Sequence, residues 1–117
     1  MGDIRNKPWE LRAKVWLELE GRPFMGEGRM AMLEAIDRYG SIINASRETG
    51  IAYRRIRGAL RDMEQAIGRP LVHAYRGGGE GGGAVLTEAA HELMESFRRC
   101  TDNLQQDADS RFEQFMR

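Results

Sequence analysis

The fold is decided by the stretch from residue 40 to residue 61, which reads GSIINASRETGIAYRRIRGALR. Ser41 is well placed to cap a short helix over residues 42–49, because a serine hydroxyl can accept a hydrogen bond from a backbone N–H of the first turn. Gly50 can take the positive φ that a tight turn requires. A longer helix is predicted after it, over residues 52–67. Two helices joined by a glycine turn indicate a helix-turn-helix motif, which directs its second helix at a DNA groove.

The second helix of this motif has an apolar side and a basic side. Its apolar positions step by four, three and four residues and are Ile56, Leu60, Met63 and Ile67. At about 100° per residue, Arg54, Gly58 and Arg61 point nearly opposite, with Arg55 and Arg57 on the two flanks. We predict that these five residues contact DNA.

Two points on this surface stay open. A guanidinium group suits both guanine and phosphate, so residue type does not separate base contacts from backbone contacts. Gly58 either lets the helix backbone approach DNA or is simply tolerated in the helix. Ser41 and Asn44, at the start of the short helix, are candidates for holding a phosphate, although capping alone explains Ser41 equally well.

A glycine loop between two short strands is predicted to form the wing of a winged helix-turn-helix. Residues 71–75 and 84–86 have the character of strands, and the loop 77–83 between them holds six of the fourteen glycines. The Lys-Ser/Thr ending of a nucleotide-binding P-loop is absent, and the loop joins two strands rather than a strand and a helix. We therefore predict that the wing contacts the DNA backbone through Arg76, Gly77, Gly78, Gly79, Gly81, Gly82 and Gly83.

The segment before the motif predicts a β-hairpin and a first helix. Residues 12–20 alternate between apolar and polar side chains, which is typical of a half-buried strand. After a Gly-Arg-Pro break, Phe24 and Met25 are expected to return as a second strand, and a helix is predicted over residues 28–39. The fold class expected is α+β and mainly helical, a winged helix-turn-helix with an N-terminal β-hairpin.

The C-terminal segment predicts a long dimerisation helix that begins after Thr87, a natural N-cap. Apolar residues step by three and four along it, and the helix is expected to run for about 25 residues. So long a helix cannot bury its seam against so small a domain, so a second copy of the chain is expected to cover it. The predicted interface residues are Ala90, Leu93, Phe97, Cys100 and Leu104. The domain division is a tail over 1–11, the winged helix over 12–86 and this helix over 87–117.

The net charge of zero conceals a segregated distribution. Residues 47–76 carry seven arginines and three acids, an excess of four positive charges, whereas residues 87–117 carry seven acids and four arginines. A basic surface can therefore meet phosphate while an acidic segment keeps the chain neutral. An ordinary solvated helix face explains the arginines equally well from charge alone.

Other function classes find little support. A single cysteine rules out an internal disulfide, and no run is apolar enough to span a membrane, so we expect a cytoplasmic protein. His73 and His91 have no Cys or carboxylate at ligand spacing, so no metal site is predicted. No constellation resembles a catalytic site, and neither an enzyme nor a small-molecule sensor is expected.

With these residues in place, the chain resembles the N-terminal DNA-binding domain of the molybdate-responsive ModE-type transcriptional regulators, which is similar to the helix-turn-helix of LysR-type regulators. The resemblance covers about residues 12–105. It is carried by Gly40-Ser41-Ile42, Gly50-Ile51-Ala52-Tyr53-Arg54, Gly68-Arg69-Pro70-Leu71-Val72 and the glycine wing running into Ala84-Val85-Leu86-Thr87.

The resemblance implies a homodimer joined largely through its long helix, with recognition helices in successive major grooves of a palindrome, about 34–36 Å apart. Tyr53, Arg54, Arg55 and Arg57 match the start of the recognition helix, and Ala52 and Tyr53 are therefore added to the predicted DNA contacts. The family often has a serine at the position of Ala52 and a tryptophan at that of Arg57, which implies a different operator here. The resemblance ends before the family's oxyanion-binding domains, so no cofactor and no tight molybdate binding are expected.

The sequence thus predicts a sequence-specific DNA-binding transcriptional regulator that acts as a homodimer on double-stranded DNA. The alternative is a winged-helix module for protein interaction that does not bind specific DNA. The zero net charge is its best support, and the salt dependence of DNA binding separates the two.

Overall fold

The computed structural model describes residues 3–76 and 82–116. A single 3₁₀ turn at Ile4–Asn6 precedes two short strands, three helices, two further strands and two last helices. These elements are β1 (Leu17–Leu19), β2 (Arg22–Met25), α1 (Glu27–Tyr39), α2 (Ile42–Thr49), α3 (Tyr53–Ile67), β3 (Val72–Tyr75), β4 (Gly83–Leu86), α4 (Glu88–Thr101) and α5 (Leu104–Met116). The predicted fold class is confirmed.

Local capping fixes the boundaries of the helix-turn-helix. The side-chain oxygen of Ser41 accepts a hydrogen bond from the backbone N–H of Asn44 at 2.9 Å and so begins α2. Gly40, Gly50 and Gly68 have φ of 73°, 76° and 69° and end α1, α2 and α3. Glycine takes this left-handed conformation without a steric penalty. The predicted bounds of these helices therefore hold to within one residue.

A single core joins the helices to the base of the wing. The side chains less than 2% exposed include Met30, Leu33 and Ile36 of α1, Ile56 and Met63 of α3, and Leu71, which lies just before the wing. Burying several large aliphatic side chains together stabilises a small domain, at roughly 1.5–3 kcal/mol each. The core thereby fixes α3 relative to α1 and to the wing.

The wing is a regular antiparallel pair at its base. Val72 pairs with Leu86 and Tyr75 pairs with Gly83. The backbone N–H of Ala84 donates to the carbonyl of Gly40 at 2.8 Å, and that of Thr87 donates to the carbonyl of Leu71 at 2.9 Å. The wing base is therefore attached both to the turn before α2 and to the start of α4.

The N-terminal hairpin is shorter than the alternating pattern predicts. β1 spans three residues, Leu17–Leu19, and pairs with β2, whereas the alternation began at residue 12. Val15 is 38% exposed and lies outside the strand. Alternation produces a strand only where a partner strand and a core face are present, and β2 has only four residues to offer.

The predicted long C-terminal helix is divided into α4 and α5. Asp102 is extended (φ −60°, ψ 135°) and Asn103 is left-handed (φ 64°), which breaks the helical hydrogen bonding between them. Asparagine tolerates the left-handed conformation of residue 103 better than most other residues do. Asp102 and Asn103 interrupt the helix at this point. The spacing of the apolar residues on either side did not predict the interruption.

The predicted dimer seam is mostly used within the chain. Ala90 and Phe97 are 0% and 1% exposed and belong to the core. Leu93 packs against that core, while Cys100 is exposed and Leu104 is half-buried. The assignment of Ala90 and Phe97 to a dimer interface is corrected, because a side chain already buried by its own chain has no surface left for a second copy.

An extended N-terminal segment lies along the start of α5. The Gln105 side chain accepts a hydrogen bond from the Ala13 N–H at 2.9 Å and donates one to the carbonyl of Leu11 at 2.7 Å. One glutamine thus pairs with the segment's backbone much as a neighbouring strand would. This contact brings residues 11–13 beside α5, so residues 12 and 13 lie outside the strand that was predicted to begin at residue 12.

Candidate nucleic-acid interface

The outer face of α3 is basic over its first two turns. Its inner face buries Ile56, Ala59, Leu60 and Met63 in the core, and Ile67 packs at the edge. The side chains of Arg54, Arg55, Arg57 and Arg61 are all exposed. The apolar spacing of the sequence therefore predicted the orientation of this helix correctly.

The guanidinium groups on this face are not neutralised by neighbouring acids. None of these four arginines forms an ion pair with a residue in the ranges 3–76 and 82–116. The arginines that do form ion pairs there are Arg5, Arg12, Arg29, Arg98 and Arg99. Exposed cations without an acidic partner raise the local positive potential, which attracts a polyanion.

Both acids of α3 have partners other than the arginines of this face. The Asp62 carboxylate accepts from Arg29 of α1 at 3.3 Å. The Glu64 carboxylate accepts from the backbone N–H groups of Leu71 and Val72, at 2.7 and 3.4 Å. Counting charges along the sequence includes these acids in the balance, whereas the fold directs them to other partners. The outer face of α3 is therefore more basic than its sequence segment.

The start of α3 presents an aromatic ring beside the arginines. Ala52 is the N-cap residue and provides no side-chain hydrogen bond to the helix. Tyr53 follows it and is 44% exposed. The predicted binding residues at this end are thus accessible, and Tyr53 adds a large planar group at the tip of the helix.

Gly58 lines an open hollow between α3 and α1. The hollow also touches Arg55 and Asp62 of α3 and Gly28 and Met32 of α1. A β-carbon built on Gly58 would meet no atom within 4 Å. No packing constraint requires glycine here, and both interpretations of this residue stay open.

The start of α2 offers one exposed polar side chain. The Ser41 oxygen is occupied as the cap of Asn44 and the residue is half-buried, whereas the Asn44 side chain is exposed. Asn44 and its exposed amide are the more accessible of the two predicted phosphate ligands. For Ser41, capping is the role that the geometry shows.

The wing residues divide into three groups. Arg76 and Gly82 are exposed, and the predicted contacts at Gly77, Gly78, Gly79 and Gly81 lie outside the described residues. Gly83 is half-buried in β4, where a β-carbon would stand 2.6 Å from Cζ of Tyr75 and 2.9 Å from the carbonyl oxygen of Gly40. Close packing therefore explains why residue 83 is a glycine, and its contact with DNA stays a prediction.

Sequence reasoning missed Ile43, which is 58% exposed on α2. It lines a shallow hollow with Ser46, Arg47 and Tyr53. The signal was present in the sequence, because Ile42 and Ile43 are consecutive and their side chains therefore point about 100° apart on the helix. Ile42 is the buried one, at 7% exposed.

Within residues 3–76 and 82–116, no three His, Cys, Asp or Glu side chains converge in a way that could hold a metal ion. In the same part of the chain, no helix has the length and apolar character needed to cross a membrane.

Residues 28–91, more than half of the chain, match the family model described as bacterial regulatory helix-turn-helix protein, lysR family. The matched range runs from α1 to the start of α4 and includes the whole helix-turn-helix and wing. It therefore coincides with the part of the fold that carries the basic face.

Three relatives are similar to a large part of this chain. The molybdenum-pterin-binding protein MopA of Rhodobacter capsulatus is 39% identical over 74% of this chain and 33% of its own length. MopB of the same organism is 42% identical over 62% of this chain and 27% of its own. The DNA-binding transcriptional dual regulator ModE of Escherichia coli (strain K12) is 33% identical over 69% and 31%. The chain thus spans about a third of these relatives, and the predicted resemblance to ModE-type regulators is confirmed.

Proposed function

The chain belongs to the LysR family of bacterial regulatory helix-turn-helix proteins, and from this premise we propose that it is a sequence-specific transcriptional regulator that binds double-stranded DNA as a homodimer. The observation that carries the proposal is the set of exposed arginines on α3, which have no acidic partner among the described residues. In a helix-turn-helix this helix enters the major groove.

Each element has a place in the proposed complex. Arg54, Arg57 and Arg61 contact base edges or phosphates from α3, and Tyr53 lies at the tip of that helix. Asn44 holds a phosphate at the start of α2, and Arg76 contacts the backbone from the wing. Arginine, tyrosine, amide and backbone groups suffice for this binding, so the proposal assigns it no cofactor, metal or small-molecule ligand.

The homodimer is part of the proposal, with its surface moved from α4 to α5. α5 has no buried residue, and Phe115 is 79% exposed and stacks on Phe112, with ring centroids 6.4 Å apart. Leu11, held beside α5 through Gln105, is 43% exposed. A second copy covering this face would remove those apolar groups from water.

We also propose that the chain has no enzymatic activity and acts in the cytoplasm, where its DNA target is found. The relatives ModE and MopA are named for regulation and for binding, not for a reaction. The second candidate function is a protein-interaction module. The exposed apolar side chains of the N-terminal segment, Trp9 (55%) and Trp16 (48%), favour it.

Selection of genomic DNA fragments by the purified chain, followed by salt titration on the recovered fragment, tests the proposal. We expect a palindromic motif and a steep loss of affinity with salt. If the dimer neutralises at least about six phosphates, affinity falls by about 10³-fold between 50 and 200 mM salt. Salt-sensitive binding without a motif would contradict sequence specificity, and absence of binding at low salt would favour the interaction module.

A further inference from the structure

The hollow between α2 and α3 is apolar although it lies beside the basic face. Ile43 and Tyr53, at 58% and 44% exposed, are its two largest side chains. Ser46 also lines it, but the Ser46 hydroxyl donates to the carbonyl of Ile51 at 2.6 Å and is thus engaged inside the turn. The hollow is therefore mainly apolar, and Arg47 is its one charged lining residue.

We propose that Ile43 and Tyr53 form a contact site for the 5-methyl group of thymine and so help to determine the operator sequence. This inference rests on the proposed function, because it places the site on the surface that meets DNA. In the major groove the thymine methyl is the apolar group that distinguishes one base pair from the others. An apolar hollow at the N-terminal end of a recognition helix can therefore receive a thymine methyl group.

Position and charge both favour DNA as the occupant. Tyr53 is the first residue of α3 and is followed directly by Arg54 and Arg55. Ile43 is the second residue of α2, next to Asn44, the proposed phosphate ligand. A surface rimmed by cations attracts phosphate, and the bound duplex then brings its base edges against the apolar centre.

Among the described residues, Ile43 is not part of the core or packed against it, so packing does not explain an isoleucine at this exposed position. The packing of α2 on the core is performed by Ile42 and Ala45, which are 7% and 0% exposed. The arrangement separates the two isoleucines, one for the core and one for the surface. A substitution at Ile43 is therefore expected to leave the fold unchanged.

The test replaces the thymines of the selected operator by uracil, one position at a time. Each replacement removes only the 5-methyl group. We expect one thymine in each half-site at which uracil weakens binding by the wild-type chain about fourfold, as for the loss of one buried carbon group. The Ile43→Ala variant should bind the thymine operator more weakly and lose the preference for thymine over uracil at that position. Ile4→Ala removes the same side chain at a residue 69% exposed in the N-terminal segment and should retain the preference.

The outcomes are distinct from those of the proposed function. If selection yields no operator, the proposed function fails, and the methyl site, which rests on it, is overturned with it. If an operator is found but Ile43→Ala keeps the full thymine preference, only the methyl site is overturned. A uniform loss of affinity on every sequence would place Ile43 against the sugar-phosphate backbone and would also overturn it. Equal melting temperatures of the wild type and both variants establish that folding is not the cause.

Discussion

At the level of single residues, the net charge of the α3 surface depends on which partners the carboxylates of that helix bind. Asp62 and Glu64 lie on the same helix as the exposed arginines, yet one pairs with Arg29 and the other accepts from two backbone amides. A net charge of zero for the whole chain therefore says little about the surface of α3. DNA binding depends on the local field, which these side-chain directions determine.

Alanine substitution of Arg54 or Arg57 should weaken operator binding by ~1–3 kcal/mol per half-site where the arginine makes a bidentate base contact, and should relax specificity at that base. If the arginine contacts phosphate, the loss should be uniform across sequences and the salt slope should fall by about one. Titration of the operator and of a scrambled duplex distinguishes these results.

The matched control for both variants is Arg22→Ala. It removes the same charge from an exposed arginine of β2, which lines a hollow with Gln65 and Ala66 near the C-terminal end of α3. Its affinity for the operator should stay close to that of the wild type. Unchanged affinity in both the Arg54 and Arg57 variants would refute the assignment of α3 as the recognition helix.

Two glycines should respond in opposite directions to alanine. At Gly83 the new β-carbon would stand 2.6 Å from Tyr75 and 2.9 Å from Gly40, and such overpacking destabilises by about 1–3 kcal/mol. At Gly58 it meets nothing within 4 Å, and alanine in a helix is favoured over glycine by up to ~1 kcal/mol. Chemical unfolding of both variants measures the two free energies.

The Gly58→Ala variant also decides between the two interpretations of that residue. If its operator affinity falls while its stability rises, the helix backbone approaches DNA at this point. If its affinity is unchanged, glycine is merely tolerated in α3. A loss of stability at Gly58, or none at Gly83, would contradict the packing described for these positions.

At the level of elements, the sequence predicted what is determined locally. The helix ends are fixed by the hydrogen bond of Ser41 and by the positive φ angles of three glycines, Gly40, Gly50 and Gly68. The bounds of α1, α2 and α3 could therefore be predicted from the sequence. The apolar spacing of α3 likewise predicted which face is buried. Such signals involve residues only a few positions apart.

The remaining features depend on contacts between distant residues. Residues 12 and 13 begin a strand-like alternation, but the segment they belong to is hydrogen-bonded to Gln105, more than ninety positions away. Phe97 has the spacing of a dimer seam but is buried in its own core. Periodicity indicates that a side chain faces something apolar, but it does not say whether that surface belongs to the same chain.

Glu64 should couple the recognition helix to the wing. Its carboxylate accepts from the N–H groups of Leu71 and Val72, so Glu64→Ala removes an acceptor at the start of β3. We expect a loss of about 1 kcal/mol in the free energy of unfolding and faster hydrogen–deuterium exchange at these two amides. Glu64→Gln keeps an acceptor oxygen and should retain most of the protection. Equal exchange in the alanine variant would show that the strand is held without this carboxylate.

At the level of the whole molecule, the described residues extend over 68 × 31 × 21 Å, much longer in one direction than in the others. α5 has no residue in the core, and Asp102 and Asn103 interrupt the helix before it. Its contact with the N-terminal segment consists of two hydrogen bonds between the Gln105 side chain and the backbone of Leu11 and Ala13, and it leaves Leu11 and Phe115 exposed. α5 thus presents exposed apolar side chains outside the core, and they form the face assigned to the proposed dimer.

That face is where the proposed dimer can be tested. Phe115→Asp places a charge at the most exposed large apolar residue of the described chain, 79% accessible. It should weaken self-association by at least ~tenfold, or about 1.4 kcal/mol, in sedimentation equilibrium. Val85→Asp, at a wing residue 52% exposed, makes the same kind of change away from this face and should leave the dimer intact.

A palindromic operator is bound by two recognition helices joined together, so Phe115→Asp should also lose affinity for the full palindrome while keeping its affinity for a half-site. A variant that stays dimeric would exclude α5 from the interface, because a carboxylate cannot be buried there without a large penalty.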